Sequence, residues 1–360
     1  MAAGKKKNAK NSLIQLLIPL VAISLLIIFN LFRDPSFFLV QVGTNSKGDS
    51  VLQGNLITIL NGASELAILA MGMTLVTSAS GGQDISVGAL SVIAGSVYIK
   101  VLKGAGDITF GTVLLAFLAC CAVAMVFGAF NGIIVSVFKI QPMIATLILF
   151  TCGRSIAYWI NGGASPTVSS DIVSEIGGFI PGIPIPTPIL VVALVGVLFW
   201  LAFRFTSLRL YMQSVGINQG AARLNGINSI GMKILAFVIL GACCAFAGMI
   251  AGSRLNMVNH ETMLLDIEMD AILAVAIGGN SLGGGKFRMI GSIIGAYTIQ
   301  MLTITLYAMK VSSSDIKAYK AVVIILLVVI GAPVVKEKVS RFWNLHVAGK
   351  SGIRSGKELA

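Results

Sequence analysis

Ten long apolar stretches limit what this chain can fold into. A membrane-spanning helix needs about 20 predominantly apolar residues, and stretches of this kind follow one another from residue 13 to residue 335. The polar segments between them do not exceed about 30 residues, which is too short for an independent hydrophobic core. We therefore predict an all-α integral membrane protein with about ten transmembrane helices and no soluble catalytic domain.

The predicted organisation has three parts. A basic tail, residues 1–12, precedes the transmembrane domain, residues 13–335, and a second basic tail covers residues 336–360. The first apolar run is longer than the apolar region of a cleaved signal peptide, so it is expected to be retained. The predicted spans are 13–32, 56–78, 85–102, 110–137, 142–161, 187–205, 231–252, 265–280, 289–309 and 319–335.

The charge of the chain agrees with this organisation. Only 11% of the residues are charged, against about 25% in soluble domains. The net charge of +12 does not indicate nucleic-acid binding, because the basic residues flank the spans instead of forming a patch with aromatic residues. Ten spans with a cytoplasmic N-terminus place 17 Lys and Arg inside and 8 outside, as the positive-inside rule requires. Both termini are therefore predicted to be cytoplasmic.

All five cysteines lie in apolar stretches, where a thiol behaves as a small hydrophobic group. They indicate neither a disulfide framework nor a metal site, and no metal ligand set is predicted. The five are Cys120, Cys121, Cys152, Cys243 and Cys244.

A first polar segment, Gly81-Gly82-Gln83-Asp84-Ile85-Ser86-Val87-Gly88, interrupts the apolar pattern. Its paired glycines favour a helix break and a close backbone approach. An aspartate at this depth must be hydrated, paired or placed at a helix terminus. We expect Asp84 to cap the third span, which is compatible with a place beside a pathway.

A second segment runs from Asp270 to Lys286 and contains Gly278, Gly279 and a second glycine cluster. It resembles a phosphate-binding loop, but Asn280 replaces the first glycine of that motif and Phe287 replaces its Ser or Thr. We therefore predict a sharp turn between two spans and no nucleotide site.

A third segment, residues 213–228, is small, polar and partly helical on the predicted cytoplasmic side. Two interpretations remain open for it. It is either an ordinary solvated loop or a surface on which another protein docks closely.

Glu65 and Arg154 are the costly residues within the predicted spans. An ionised side chain at the centre of a membrane helix costs about 2.5–3.5 kcal/mol on the insertion scale. Such residues face the bundle or a water-filled path. We expect the two either to pair with each other or to contact a substrate. Asn161, beside Tyr158 and Trp159, lies near the outer end of the fifth span, where aromatic anchoring and stacking on a sugar ring are both open.

These motifs together resemble the permease subunits of bacterial ABC importers for monosaccharides, of the ribose and galactose type. The family carries G-G-[IL]-D-L-S-V-G after a G-M-T-L-V span, and this chain has Gly72–Val76 followed by residues 81–88. Residues 214–228 and 268–284 match two further family motifs in the same order. A weaker likeness over residues 131–147 points to the galactofuranose-type members. Gln83 departs from the family pattern and Glu65 has no counterpart in it.

The resemblance implies a non-catalytic permease with the fold of ABC importer permeases in the inner membrane of a bacterium. It further implies a second permease chain, a sugar-binding protein outside and two cytoplasmic ATPases, which bind the ATP, so that this chain needs no cofactor. It assigns residues 213–228 as the coupling loop. The alternative is an ion-driven secondary transporter that uses Glu65, Asp84 and Asp270.

The predicted functional residues fall into three sets. The substrate path is expected to include Glu65, Asp84, Ser86, Arg154 and Asn161. The coupling loop is expected to act through Gly216, Asn218, Ala221, Ala222, Arg223 and Gly226. The structural turns are expected at Gly81, Gly82, Asp270, Gly278 and Gly279.

Overall fold

A computed structural model describes residues 19–44 and 48–331, with side chains up to residue 323. Both predicted basic tails, and the outer limits of the first and last predicted spans, lie outside the described residues. The described elements are α1 (Pro19–Arg33), β1 (Gln41–Thr44), β2 (Ser50–Gln53), α2 (Asn55–Gly62), α3 (Ser64–Ser80), α4 (Val87–Gly104), α5 (Phe110–Ser136), α6 (Pro142–Ile160), α7 (Asp171–Gly177), α8 (Thr187–Phe205), α9 (Leu208–Ile217), α10 (Gln219–Leu224), α11 (Ser229–Leu255), α12 (Ile267–Ile277), α13 (Met289–Ala308) and α14 (Ser313–Gly331).

A helix lies at each of the ten predicted spans, so the all-α membrane fold is confirmed. By length and composition, six of the described helices can cross a membrane, and the α2–α3 pair makes a seventh if it counts as one span. The predicted total of ten is therefore approximate. Local signals explain several helix starts. Thr109 and Thr112 form a capping box at the start of α5, and Pro142 occupies the first position of α6.

The second predicted span is broken. α2 and α3 meet at an angle of 41°, with Ala63 between them. Glu65 consequently lies in the first turn of α3 instead of the middle of a continuous helix. A carboxylate at that position also interacts favourably with the partial positive charge of a helix N-terminus.

The eighth predicted span, residues 265–280, is wrong as one continuous helical crossing. Its helix, α12, has 11 residues and is about 16 Å long, whereas the hydrocarbon core is about 30 Å thick. The chain from residue 256 to residue 266 enters the bundle without helical structure before α12 begins.

The described connections group at two ends of the bundle. At one end, Gly81 lies beside Gly284, and Gly82 beside Pro142. At the other end, the backbone N–H of Val168 donates to Asn256 (2.9 Å) and that of Leu52 donates to Pro184 (3.0 Å). This grouping agrees with the alternation of ten spans, while the side that faces the cytoplasm stays a prediction.

The core is formed by α3, α4, α5 and α11. Nearly every residue of α3 is buried. Close helix contacts depend on glycine: a Cβ on Gly128 would overlap the carbonyl oxygen of Phe237, and one on Gly241 would overlap that of Ala124. Small residues at such positions allow membrane helices to approach closely.

The antiparallel hairpin of β1 and β2 was not expected from the sequence. It pairs Gln41 with Gln53 and Thr44 with Ser50 and lies at the end of the bundle that also holds α7. A sequence signal was present, because Asn, Ser and Gly at positions 45, 46 and 48 are residue types that favour turns.

Candidate functional site

The three unusual segments of the sequence meet at one point, which we call the glycine junction (Ser78, Gly81, Gly216, Gly284 and Gly285). Gly81 ends α3 in a left-handed conformation with φ 69°. A Cβ on Gly284 would lie 2.8 Å from Cα of Gly81. The N–H of Gly285 donates to the carbonyl of Ser78 (3.1 Å). The two glycine turns therefore touch through their backbones, which side chains would prevent.

Helix α9 closes the junction. Gly216, in its last turn, lies so near α3 that a Cβ would overlap the carbonyl oxygen of Ser78. A Cβ on Gly216 would also lie 2.8 Å from the backbone nitrogen of Gly285. The predicted coupling stretch is thus in direct contact with both glycine turns.

The predicted coupling stretch, residues 213–228, contains the second half of α9, the short helix α10 and the loop before α11. The side chain of Asn218 caps α10 by accepting from the N–H of Ala221 (3.0 Å). Ala222 is buried. The Nε of Arg223 donates to the hydroxyl of Ser229 (2.7 Å), and Gly226 turns the chain with φ 78°.

The outer face of these two helices carries accessible large apolar side chains beside the exposed Arg223. Leu224 is 92% exposed and Ile217 is 72% exposed. Exposed apolar side chains that form one patch are typical of a protein contact.

A buried polar cluster lies next to the first glycine turn. One carboxylate oxygen of Asp84 accepts from the backbone N–H (2.7 Å) and the hydroxyl (2.6 Å) of Ser86. The Nδ2 of Asn131 donates to the other oxygen (3.3 Å) and to the Ser86 hydroxyl (3.0 Å). All three side chains are buried, and Oδ1 of Asn131 has no partner among the described residues. Asn131 was not among the predicted site residues, although a polar side chain inside an apolar run indicates a functional position.

The expectation that Asp84 caps the third span is wrong. The N-cap of α4 is Ser86, and its side chain makes no capping hydrogen bond. Asp84, three residues before α4 begins, instead closes a local turn by binding the N–H and hydroxyl of Ser86.

This polar cluster lies inside the bundle rather than at its end. The N–H of Asp84 lies 3.5 Å from the sulfur of Met73, in the middle of α3. Although Asp84 comes four residues after the end of α3, it lies beside Met73, which is seven residues before that end. Seven residues correspond to about 10 Å along the helix axis. The N–H of Ile85 similarly donates to the hydroxyl of Thr146 (3.1 Å) in α6. The chain therefore folds back before α4 begins.

The start of α12 meets the start of α4. A Cβ on Gly88 would overlap Oε2 of Glu268, and it would lie 3.2 Å from the carbonyl oxygen of Leu264. Glu268 is buried and its Oε2 has no hydrogen-bond partner among the described residues. Helices that begin inside the membrane, with their N-termini together, are typical of transporter binding sites.

Gln83 joins the two glycine turns. Its Nε2 donates to the carbonyl of Leu282 (2.7 Å), so this residue links segments that are about two hundred positions apart. Of the predicted structural turns, Gly279 has φ 79° and Gly278 caps α12. Asp270 is not in a turn between two helices, contrary to the prediction. It lies in the first turn of α12 and pairs with Lys320 (2.6 Å).

The predicted pairing of Glu65 with Arg154 is wrong. Glu65 pairs with Arg254, with 3.2 Å between Oε1 and Nη2. The Glu65 side chain is 6% exposed and that of Arg254 is 32% exposed. The two residues meet because α11 ends beside the start of α3.

Arg154 holds the non-helical segment ahead of α12. Its guanidinium donates to the carbonyls of His260 (2.9 Å), Met263 (3.1 Å) and Leu264 (3.4 Å). The five N–H donors of arginine suit such a set of carbonyl acceptors. Arg154 therefore positions the segment that leads to Glu268.

Asn161 caps the end of α6 and donates to the hydroxyl of Ser96 (3.0 Å). Its Oδ1 is buried without a partner among the described residues. Trp159 is 81% exposed, which fits the anchoring role expected for it. In the described part of the chain, no group of three or more His, Cys, Asp or Glu side chains is arranged to hold a metal ion.

Comparisons with known proteins agree on the class of protein. Residues 55–331 match a family described as the permease component of branched-chain amino acid transport systems. The galactofuranose transporter permease of Escherichia coli K12 is 36% identical over 86% of this chain and 88% of its own. The fructose import permease of Bifidobacterium longum is 36% identical (87% and 86%), and the ribose import permease of E. coli K12 is 34% identical (89% and 92%). No solved structure matches the chain.

Proposed function

This chain belongs to the family of membrane permease components that residues 55–331 match, and from that premise we propose that it forms the translocation path of an ATP-driven sugar importer. The observation that carries the substrate class is the set of relatives, whose names specify galactofuranose, fructose and ribose. The description of the family names branched-chain amino acids instead. Because the sugar permeases are similar to this chain over most of both sequences, we infer the substrate class from them and not from the family description.

The chemistry of the interior supports a neutral, hydroxyl-rich substrate. Around the starts of α4 and α12, buried hydroxyl and amide groups come from Ser86, Asn131 and Thr146. The unpartnered Oδ1 of Asn131 is an acceptor that a sugar hydroxyl would satisfy. We propose that Asp84 and Ser86 belong to this path, and that Asn161 contributes a second unpartnered acceptor towards the opposite end.

Glu65 and Arg154 have positioning roles in this proposal. Glu65 is neutralised by Arg254, and Arg154 is occupied by backbone carbonyls. They shape the path instead of binding the sugar. Because Asp270 is likewise paired with Lys320, the carboxylates named for the ion-driven alternative have partners, and nothing specific favours that alternative.

The glycine junction supplies a mechanical link for energy coupling. We propose that the exposed face of α9 and α10 docks on cytoplasmic ATPases that hydrolyse ATP, so that this chain performs no chemistry itself. A push on α9 acts through Gly216 on the end of α3 and on both glycine turns. The first glycine turn leads to the start of α4. The second glycine turn, to which Gln83 binds, follows the end of α12.

The six long apolar helices make this a multi-pass membrane protein. We propose that it lies in the cell membrane of a bacterium with both termini in the cytoplasm. A second permease chain and an external sugar-binding protein complete the assembly in this proposal.

Reconstitution tests the proposal. The chain is purified together with its co-purifying ATPase and reconstituted in proteoliposomes, and uptake of labelled ribose, fructose and galactofuranose is measured with and without enclosed ATP. ATP-dependent uptake is expected. Uptake driven by a proton or sodium gradient in the absence of the ATPase would contradict the proposal.

A variant pair tests the coupling surface. Arg223→Glu is expected to abolish uptake while the chain still inserts, because it reverses charge on the docking face. Lys139→Glu makes the same charge change at another exposed position at the same end of the bundle, and it should transport normally. Equal uptake by the two variants would remove Arg223 from the coupling surface.

A further inference from the structure

A cavity of about 660 Å³ opens between the end of α8, the start of α9 and the start of α13. It lies at the same end of the bundle as the glycine junction, because its lining residues 286–289 directly follow Gly285 of the junction. The proposed translocation path does not use it. Its walls divide into a basic part and an apolar part.

Four cationic side chains line the basic part: Arg204, Arg209, Lys286 and Arg288. The described residues that line the cavity include no Asp or Glu. Arg204, Arg209 and Lys286 are exposed. The guanidinium of Arg209 lies 5.6 Å from the centre of the Phe287 ring, and this contact helps to fix its position. An anion is the complementary ligand for such a surface.

The apolar part extends from these cations along α8 and α13. It includes Gly196, Trp200, Phe203 and Ile293. Trp200 is 62% exposed and Ile290, at the same opening, is 67% exposed. Gly196 is four residues, about one helical turn, before Trp200 and leaves a recess in the α8 surface. The groove therefore continues from a charged end onto exposed apolar surfaces of α8 and α13.

We propose that this groove binds one anionic phospholipid, with its phosphate between Arg204, Arg209 and Lys286 and its acyl chains along α8 beside Gly196. Basic pockets between membrane helices are suited to anionic headgroups. A free phosphate would satisfy the cations equally well. The lipid is favoured because the apolar wall is continuous with the charged end, and a soluble anion has no use for that wall.

An occupant of the groove would touch the coupling stretch. Gln213 of α9 lines the cavity, and Gly216 lies one turn further along the same helix. A lipid seated there would brace α9 against α8 and α13. Binding is therefore expected to stabilise the fold around the glycine junction.

The test uses the full chain purified in a neutral detergent. Thermal unfolding and native mass spectrometry are carried out with added phosphatidylglycerol, with phosphatidylcholine of the same acyl chains, and with inorganic phosphate. We expect phosphatidylglycerol alone to raise the melting temperature and to remain bound. Loss of two cations in Arg204→Gln/Arg209→Gln should weaken its binding about 10- to 30-fold.

Two controls accompany the test. Lys139→Gln removes an exposed cation at the same end of the bundle and should bind phosphatidylglycerol like the natural chain. Arg204→Lys/Arg209→Lys keeps both charges and should retain most of the binding, so it separates charge loss from misfolding.

Three results would overturn the proposal. Equal effects of the two lipids would show that headgroup charge is irrelevant. An equal effect of inorganic phosphate would reduce the site to a free-anion site. Unchanged binding in a folded Arg204→Gln/Arg209→Gln chain would place the lipid elsewhere.

Discussion

Gly216 of α9 packs directly on the carbonyl group of Ser78 at the end of α3, with no space for a Cβ between them. Ser78 also accepts the N–H of Gly285 (3.1 Å), so one carbonyl group joins three chain segments. A movement of α9 cannot leave the two glycine turns unaffected. This contact underlies the first prediction.

Gly216→Ala should separate α9 from α3. The added methyl group would overlap a backbone atom, and overpacking of this kind costs about 1–3 kcal/mol. We expect a lower melting temperature and loss of sugar-stimulated ATP hydrolysis in the reconstituted complex. Gly220→Ala is the matched control, because its Cβ would meet only Oδ1 of Asn218 at 3.4 Å. Similar losses in both variants would contradict a special role for the Gly216 contact.

Asp84→Ala should abolish uptake and destabilise the chain. It would leave the buried N–H and hydroxyl of Ser86 without their acceptor and would remove one of the two acceptors of Asn131 Nδ2, at a cost of about 1–3 kcal/mol. Uptake and thermal unfolding are measured on the same preparation.

Asp34 provides a matched control for Asp84. It binds the N–H (2.9 Å) and hydroxyl (2.6 Å) of Ser36 in the same local turn, but it is exposed. The Ser36 hydroxyl and N–H lower the pKa of Asp34, so it stays ionised at neutral pH. Asp34→Ala should transport normally. A loss of uptake equal to that of Asp84→Ala would mean that the turn, and not the buried site, matters.

The sequence predicted the helical membrane fold and the three unusual segments because both depend on local composition. Apolar length identifies a span, and glycine beside polar residues identifies a break. It did not show that residues 81–88, 213–228 and 278–285 meet, since that contact depends on how distant helices pack. It also did not show that this crossing is helical only over α12, because the non-helical course of residues 256–266 depends on contacts with other helices.

For Glu65 and Arg154, the sequence predicted the location of the side chains correctly but not the groups that they bind. Both Glu65 and Arg154 were expected to face the bundle or a water-filled path, and both side chains contact other segments of the bundle. Their partners, Arg254 and the carbonyls of residues 260–264, follow from where α11 ends and where the next segment enters the bundle. A one-dimensional pattern does not contain that information.

A double-mutant cycle should assign the partner of Glu65. Glu65→Gln and Arg254→Gln each leave a charge without its counterpart, so we expect a coupling free energy of about 1–3 kcal/mol. The free energy of unfolding is measured in detergent for both single variants and the double variant. The cycle of Glu65→Gln with Arg154→Gln should give a coupling below about 0.5 kcal/mol. A reversed order of the two coupling energies would restore the pairing with Arg154.

Two glycines of α11 should respond differently to substitution by alanine, because only one of them lies against the backbone of another helix. A Cβ on Gly248 would overlap the carbonyl oxygen of Ser91 in α4, whereas one on Gly252, a helical turn later, would meet Cγ1 of Ile99 at an ordinary 3.5 Å. Gly248→Ala should therefore lower the free energy of unfolding by about 1–3 kcal/mol. Gly252→Ala should be neutral or should stabilise by about 0.5–1 kcal/mol, because alanine loses less backbone entropy in a helix. Unfolding of both variants in detergent decides the matter: if Gly248→Ala is as stable as Gly252→Ala, α4 and α11 do not approach as closely as their glycines allow.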